Sequence, residues 1–382
     1  MLTNITIENF KSYKEKTKVD FRATGYEILN KTNKNEDNIL KGALFVGGNA
    51  TGKSNIIKAL KFLLSLLVWE VKLNSMDYLC LFSKGNMKLE YEFEFKKQII
   101  KYSISCDKNG SILAESLELN NKEIITRIKD NAKYSNDDYE ILLDNLNDSN
   151  SVVRKIYFEN KFNNNETLLL WFKFLENSVF IDQSKHLIQT FNVLNNNYRN
   201  YFEKNGDEKF NNFLKEINYG QEVIFVSEYK SKAVNLKFSD DLGNPKKELV
   251  FKRNDMDFAL PINLESEGNR TLANVFSYII EACEKPCMIL IDEFSSGFHN
   301  FLEETVIKYF MKHSINSQLF LVSHSTNLLN NNILRPDQIY TVDFITGFGS
   351  KVNRVSDEKP REAQNIEKMY LNGVFNGIPN YK

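Results

Sequence analysis

The chain has 382 residues, 42% of them apolar, with 49 Lys and Arg against 50 Asp and Glu for a formal net charge of −1. That length suits one large domain with an insertion, or two or three compact units, around a substantial core. The balanced charge excludes the global basic field of a nucleic-acid coat protein and leaves any nucleic-acid contact to a local patch.

Residues 1–7 alternate apolar and polar as a strand does, and they lack the basic start and apolar stretch of a signal peptide. A second short strand is expected around residues 18–21, and the polar stretch 30–38 reads as a loop. Gly42 to Val46 is a buried strand by composition, and apolar residues from Asn55 onward recur at helical spacing. Between them lies Gly47-Gly48-Asn49-Ala50-Thr51-Gly52-Lys53-Ser54, which fits G-x-x-x-x-G-K-[ST] in its strand–loop–helix context. Such glycines let the backbone wrap a phosphate, with amides and a helix N-terminus aimed at the anion. Lys53 is expected to reach the β- and γ-phosphates of a nucleotide, and the Ser54 hydroxyl to ligate Mg²⁺. The alternative is a Gly-rich turn that merely joins strand to helix, against which the Lys-Ser ending argues. The apolar run 62–69 is bracketed too closely by Lys58, Lys61 and Glu70 for a membrane span and reads as the buried helix behind the loop.

Strict alternation over Met87 to Phe95, repeated over residues 99–105, predicts an antiparallel hairpin with one wet face. From about residue 120 to 220 the texture becomes Asn-rich, charged and aromatic with helical spacing, broken at Asn163-Asn164-Asn165 and Asn195-Asn196-Asn197. A compact helical insertion is expected there, not a long coiled coil. Strands return at residues 222–226, 234–238 and 247–252. The cysteines, Cys80, Cys106, Cys283 and Cys287, show no metal-ligand spacing and suit a reducing, cytosolic setting.

Met288-Ile289-Leu290-Ile291-Asp292-Glu293 is an apolar run ending in two carboxylates, as a buried parallel strand facing a ligand would be. Asp292 would support the Mg²⁺ shell and Glu293 would deprotonate a water facing the γ-phosphate. An exposed acidic turn is the plainer reading. Residues 319–325 repeat the design, ending in Ser323-His324-Ser325, and His324 can donate to a γ-phosphate oxygen. His299 follows the Asp-Glu strand closely enough to lie near the site, whereas His186 and His313 sit in polar helical surroundings. Ser266 and Gly268, just before an apolar-periodic stretch, make a second anion-binding helix start, or simply an N-cap.

Taken together, Asn9-Phe10-Lys11-Ser12-Tyr13, the loop ending Gly52-Lys53-Ser54-Asn55, Ser266-Glu267-Gly268-Asn269, Ile291-Asp292-Glu293, Ser295-Ser296-Gly297 and His324 resemble the ABC-type ATPase heads of the SMC and RecF-like group. The resemblance implies an α/β P-loop NTPase of ABC-ATPase type, with a mixed sheet, flanking helices, an antiparallel β subdomain and a helical insertion. Residues 1–115 would form the N-terminal part of the head, 116–221 the helical insertion lobe and 222–382 the C-terminal part. ATP would contact Gly47, Asn49, Ala50, Thr51, Gly52, Lys53, Ser54 and Asn55, with Lys11 and Ser12 beside them. Ser266 and Gly268 would cap the γ-phosphate of an opposite subunit, Ser296 would lie at the dimer seam, and His324 would be the switch histidine. Ser54, Asp292 and a glutamine would form the metal shell, the glutamine being Gln183, with Gln98 behind it.

More narrowly, residues 265–272 and the ending Tyr370-Leu371-Asn372-Gly373-Val374-Phe375-Asn376-Gly377-Ile378-Pro379 are similar to motifs of abortive-infection ATPases of the RloA or AbiL type. The chain departs from their pattern at Phe375-Asn376 and at Asn269. This resemblance implies a cytoplasmic, Mg²⁺-dependent ATPase that dimerises on ATP, touches no membrane and controls a separate antiphage effector. A nuclease of Toprim/RloB or HNH type is expected as that effector, since the chain ends too soon after His324 to hold one. Two other readings stay open: a head that clamps DNA in repair or maintenance, and an ATP-gated scaffold with little turnover.

Overall fold

The computed structural model describes residues 1–69, 77–135, 140–159, 162, 164–191, 193–194, 198–296 and 300–378. Asn163, Asn195 to Asn197, Gly297, His299 and Pro379 lie outside the described residues. From the N-terminus, β1 (Leu2–Glu8), β2 (Thr17–Asp20) and β3 (Gly42–Val46) lead into α1 (Lys53–Leu67). A meander follows: β4 (Met87–Phe95), β5 (Gln98–Cys106), β6 (Ile112–Leu119), β7 (Lys122–Ile128), β8 (Asn131–Ser135) and β9 (Glu140–Leu143). Next come α2 (Val152–Phe158), α3 (Glu166–Glu176), β10 (Val179–Asp182), β11 (Leu187–Thr190), β12 (Val193–Leu194), α4 (Tyr198–Asn205) and α5 (Glu208–Glu216). Then follow β13 (Gln221–Val226), β14 (Glu228–Lys230), β15 (Asn235–Lys237), β16 (Glu248–Arg253), β17 (Ala259–Pro261) and α6 (Glu267–Glu284). The chain finishes with β18 (Met288–Asp292), α7 (Asn300–His313), β19 (Gln318–Val322), β20 (Ile339–Ile345), β21 (Gly349–Arg354) and α8 (Ile366–Leu371).

Among the described residues these strands make two eight-stranded sheets, a three-stranded sheet, β13-β16-β17, and a two-stranded one, β14-β15. Of the eight-stranded sheets, one is antiparallel, in the order β2-β1-β4-β5-β6-β7-β8-β9; the other is mixed, in the order β12-β11-β10-β18-β19-β3-β20-β21. The alternation in β4 and β5 buries Leu89, Tyr91, Phe93, Ile100, Tyr102 and Ile104 on one face. Tyr91 and Tyr102 pair in register, and the Tyr91 hydroxyl donates to the Ala59 carbonyl of α1 at 2.6 Å.

In the mixed sheet β3, β18 and β19 are buried at every residue, which hides their period of two. The two cores reveal it. Ala43, Phe45, Met288, Leu290, Phe320 and Val322 face the core shared with α1, whereas Leu44, Val46, Ile289, Ile291, Leu319 and Leu321 face the core shared with α6 and α7. A strand covered on both faces reads as one apolar run, as expected for a parallel sheet. Helix α1 lies between the sheets, with Ile56, Ile57, Leu60, Leu63, Leu64 and Leu67 at 0% exposure. Each such side chain contributes roughly 1.5–3 kcal/mol. Among the described residues, no helix is long and apolar enough to cross a membrane.

The expectation of a helical insertion over residues 116–221 needs correction. The end of β6 and all of β7–β9 extend the antiparallel sheet, and β10–β12 join the mixed sheet; helices α2–α5 account for the rest. The Asn-rich spacing misled because asparagine serves hairpin turns. Asn120 and Asn121 both have positive φ, 52° and 64°, in the two-residue turn joining β6 to β7. Cys283 and Cys287 are free, and burial pushes both thiols up to about 12, so neither is a thiolate at neutral pH.

Candidate active site

Parallel strands β10, β18, β19, β3 and β20 deliver their C-terminal ends to one edge, the usual ligand edge of such a sheet. The loop after β3 is held there by close packing. A Cβ on Gly47 (φ +151°) would strike the Val342 carbonyl oxygen, and one on Gly52 (φ +107°) would strike the hydroxyls of Ser350 and Ser12, so only glycine fits. The Lys11-Ser12 turn reaches the same loop. Asn55 Nδ2 donates to Ser12 Oγ at 2.7 Å, Ser350 Oγ donates to Ser12 Oγ at 2.6 Å, and the Tyr13 hydroxyl donates to the Gly52 carbonyl at 3.2 Å. Asn49 and Ala50 are exposed at the tip, whereas Thr51 is buried with its hydroxyl donating to the Gly48 carbonyl at 3.0 Å.

Lys53 is buried and folds back on the loop, its Nζ donating to the carbonyls of Gly47 (3.0 Å) and Gly48 (2.6 Å). Burial pulls its pKa below the usual ammonium range, while the charges of Glu293 and Asp292 oppose that shift.

Asp292 is 5% exposed, and its buried Oδ1 has no hydrogen-bond partner among the described residues. Burial raises its pKa; a hydrogen bond from Ser54 and the Lys58 charge oppose the rise, and Asp182 and Glu293 add to it. Gln183 follows β10 directly and is 7% exposed, and its buried amide nitrogen has no partner among the described residues. A carboxamide presents oxygen or nitrogen at little steric cost. Ser54, Asp292 and Gln183 thus supply oxygens that fit a hard cation such as Mg²⁺, which favours one or two carboxylates plus substrate phosphates and water. Gln98, the second choice, lies away in the hairpin and accepts from the Thr167 hydroxyl at 2.7 Å.

Glu293 caps β18 in the left-handed region (φ 58°), uncommon for a residue with a side chain and frequent at functional sites. That turn aims its carboxylate at the loop after β19, where Glu293 Oε2 lies 3.6 Å from His324 Nε2. The two side chains are 33% and 39% exposed, so the pair opens to solvent. The His324 amide donates to Ser295 Oγ at 3.4 Å, which ties the loop after β19 to the one after β18. His313 pairs with Glu216 on the surface at 3.2 Å.

Ser266 and Gly268 behave differently. Ser266 is the N-cap of α6, its Oγ accepting from the Asn269 amide at 3.3 Å, and it is exposed. Among the described residues, no hydrogen bond or ion pair joins either to the phosphate loop of their own chain.

Several residues at the site carried no sequence signal. Asp182 sits in register with Asp292; Ser350 braces Gly52; Glu303 of α7 is fully buried and accepts from the Ser325 hydroxyl, beside His324, at 3.1 Å. Each comes from a segment without a motif, and only the strand order brings it here.

Residues 43–330, more than half of the chain, match the family model described as "AAA domain, putative AbiEii toxin, Type IV TA system". A search of curated proteins by sequence finds no match. Among solved structures, the chain is similar to an SMC head domain from Thermotoga maritima (TM-score 0.51, 15% identity, covering 92% of this chain and 97% of that one). It is also similar to an SMC head bound to the C-winged helix domain of ScpA (TM-score 0.54, 15% identity, with the same coverage, 92% and 97%). At that identity the likeness establishes the fold, a P-loop ATPase head of SMC type. The protein is therefore a member of the AAA domain family of the AbiEii, type IV toxin–antitoxin description, built on the SMC head fold.

Proposed function

We propose that this protein is a Mg²⁺-dependent ATPase that closes as a homodimer on ATP and acts as the sensor of an antiphage, abortive-infection module. The observation that carries the hydrolytic part is the Glu293–His324 pair, 3.6 Å apart on adjacent strand ends beside the phosphate loop. Lys53 would exchange its two loop carbonyls for phosphate oxygens. Glu293 would take the proton of the attacking water, and His324 would donate to a γ-phosphate oxygen. Ser54, Asp292 and Gln183 would hold Mg²⁺, which spreads the charge developing on the phosphates. The exposed Ser266, unattached to its own loop, supports a partner copy completing each site.

The family description, which names a putative AbiEii toxin of a type IV toxin–antitoxin system, supports the defence reading. In the proposed module the nucleotide state would control a separate effector, a nuclease of Toprim or HNH type. Glu293→Gln tests the core of the proposal: it should keep ATP binding, slow hydrolysis about a hundredfold or more and prolong the dimer. Hydrolysis at the wild-type rate would remove Glu293 from its role.

A second reading, DNA contact, has one observation in its favour. A cleft of about 760 Å³ is lined by Lys31, Lys34, Lys41, Lys96, Lys173 and Lys312 against Glu36, Asp37 and Glu94. It predicts salt-sensitive binding of duplex DNA and DNA-stimulated turnover.

A further inference from the structure

The segment after β21 returns to the nucleotide site at two points. At its far end the Gly48 amide, second in the phosphate loop, donates to the Gly377 carbonyl at 3.0 Å. The Tyr370 hydroxyl donates to the same carbonyl at 3.1 Å, and the Thr341 hydroxyl donates to the Phe375 carbonyl at 2.6 Å. Gly377, in the left-handed region at φ +79°, presses on β20 so closely that a Cβ would lie 3.1 Å from Thr341 Cβ. At the near end, Glu367 in the first turn of α8 accepts from the Thr326 hydroxyl at 2.6 Å. Thr326 opens the short 3₁₀ turn two residues beyond His324. Ile366, Tyr370 and Phe375 are 1%, 6% and 1% exposed, so the segment is anchored in the core, not laid over it.

Resting on the reading of this site as an ATPase, we propose that residues 367–377 form a positioning strap. One end sets the phosphate loop and the other sets the loop that carries His324. The phosphate loop begins with two glycines that have no side chain to hold them, so the Gly48 amide depends on an outside acceptor for its orientation. Tyr370 orients that acceptor by taking one lone pair of the Gly377 carbonyl. Glu367 fixes where the 3₁₀ turn starts, and hence how far His324 stands from Glu293. Neither residue touches substrate; both act through a loop that does.

The two ends make separable predictions. Tyr370→Phe removes the hydroxyl and keeps the ring; it should raise KM and Kd for ATP about threefold to tenfold and leave kcat within about twofold. Glu367→Ala should lower kcat about threefold to tenfold with KM within about twofold, and Glu367→Gln, which keeps an acceptor oxygen, should restore it. The experiment measures ATP affinity by calorimetry, steady-state hydrolysis and the thermal midpoint on the full chain. Unchanged KM and kcat in both variants would overturn the strap. So would a fall in kcat alone, equal in both and tracking a lost folded fraction, because that marks a purely structural segment. Wild-type protein that binds no ATP would instead overturn the ATPase reading, and the strap with it; wild type that binds ATP while Tyr370→Phe binds it equally well sinks the strap alone.

Discussion

Asp182 and Asp292 stand opposite each other in register across the parallel strands β10 and β18, each 5% exposed. Asp182 is engaged by its own turn: Ser184 Oγ donates to Oδ1 at 2.7 Å and Lys185 Nζ lies 3.4 Å from Oδ2. Asp292 keeps one oxygen without a partner among the described residues. Two buried carboxylates at one strand edge repel each other and attract a cation, so Asp182 should strengthen the metal site without being a ligand. Asp182→Asn should leave metal-free ATP binding unchanged and raise the Mg²⁺ concentration for half-maximal turnover about tenfold. A Mg²⁺ titration of hydrolysis checks it.

The glycine at position 52 is required by two hydroxyls and by its backbone at once. Gly52→Ala would force Cβ into Ser350 and Ser12 at a φ of +107°. It should abolish ATP binding, and restoring space with a second change, Ser350→Gly, should not rescue it, because the backbone strain remains. Calorimetry with ATP on both variants reads the outcome.

The exposure of Ser266 gives a complementation test. A Lys53→Ala chain and a Ser266→Ala chain should each be inactive alone. Mixed in equal amounts, they should recover about a quarter of wild-type hydrolysis, since half the dimers are mixed and each mixed dimer has one intact site. If Ser266 is only an N-cap, its alanine variant should stay active and lose about 1 kcal/mol of stability.

Away from the site, Arg335 and Asp337 form a fully buried pair with Nε to Oδ1 at 2.9 Å, and Asp337 also accepts from the Thr24 amide at 2.7 Å and its hydroxyl at 2.8 Å. Burial alone would raise the Asp337 pKa; the Arg335 hydrogen bonds and charge, with Thr24, outweigh it and hold the carboxyl below the usual aspartate value of 3.8. A lowered carboxylate pKa stabilises the fold above the unfolded value and loses that contribution as pH falls through the folded one. The contribution should therefore persist through neutral pH and disappear only below about pH 4. Asp337→Asn should cost about 3 to 5 kcal/mol at neutral pH by leaving Arg335 uncompensated, and the difference should shrink in acid. Urea melts across pH measure both.

The residues from Gly47 to Ser54, the Asp292-Glu293 ending and the β4–β5 hairpin were legible in the chain because each depends on local patterning: a spacing, an apolar run or an alternation. Strand β10 is a short apolar run with no motif of its own, and β7–β9 lie in a stretch whose Asn-rich, charged and aromatic texture reads as helical, although Asn120-Asn121 form the β6–β7 turn.

By itself the sequence determined that a phosphate loop, a carboxylate strand and a histidine-bearing strand exist, since motif chemistry needs only neighbours along the chain. Only the tertiary structure decided which other segments of the chain join them. Strand order puts Asp182 beside Asp292, close packing puts Ser350 against Gly52, and the return of the chain end puts Gly377 on Gly48. The physical reason is sequence separation. Contacts between residues hundreds of positions apart are fixed by the two cores and by how the parallel strands are wound, and neither leaves a periodic mark at the residue itself.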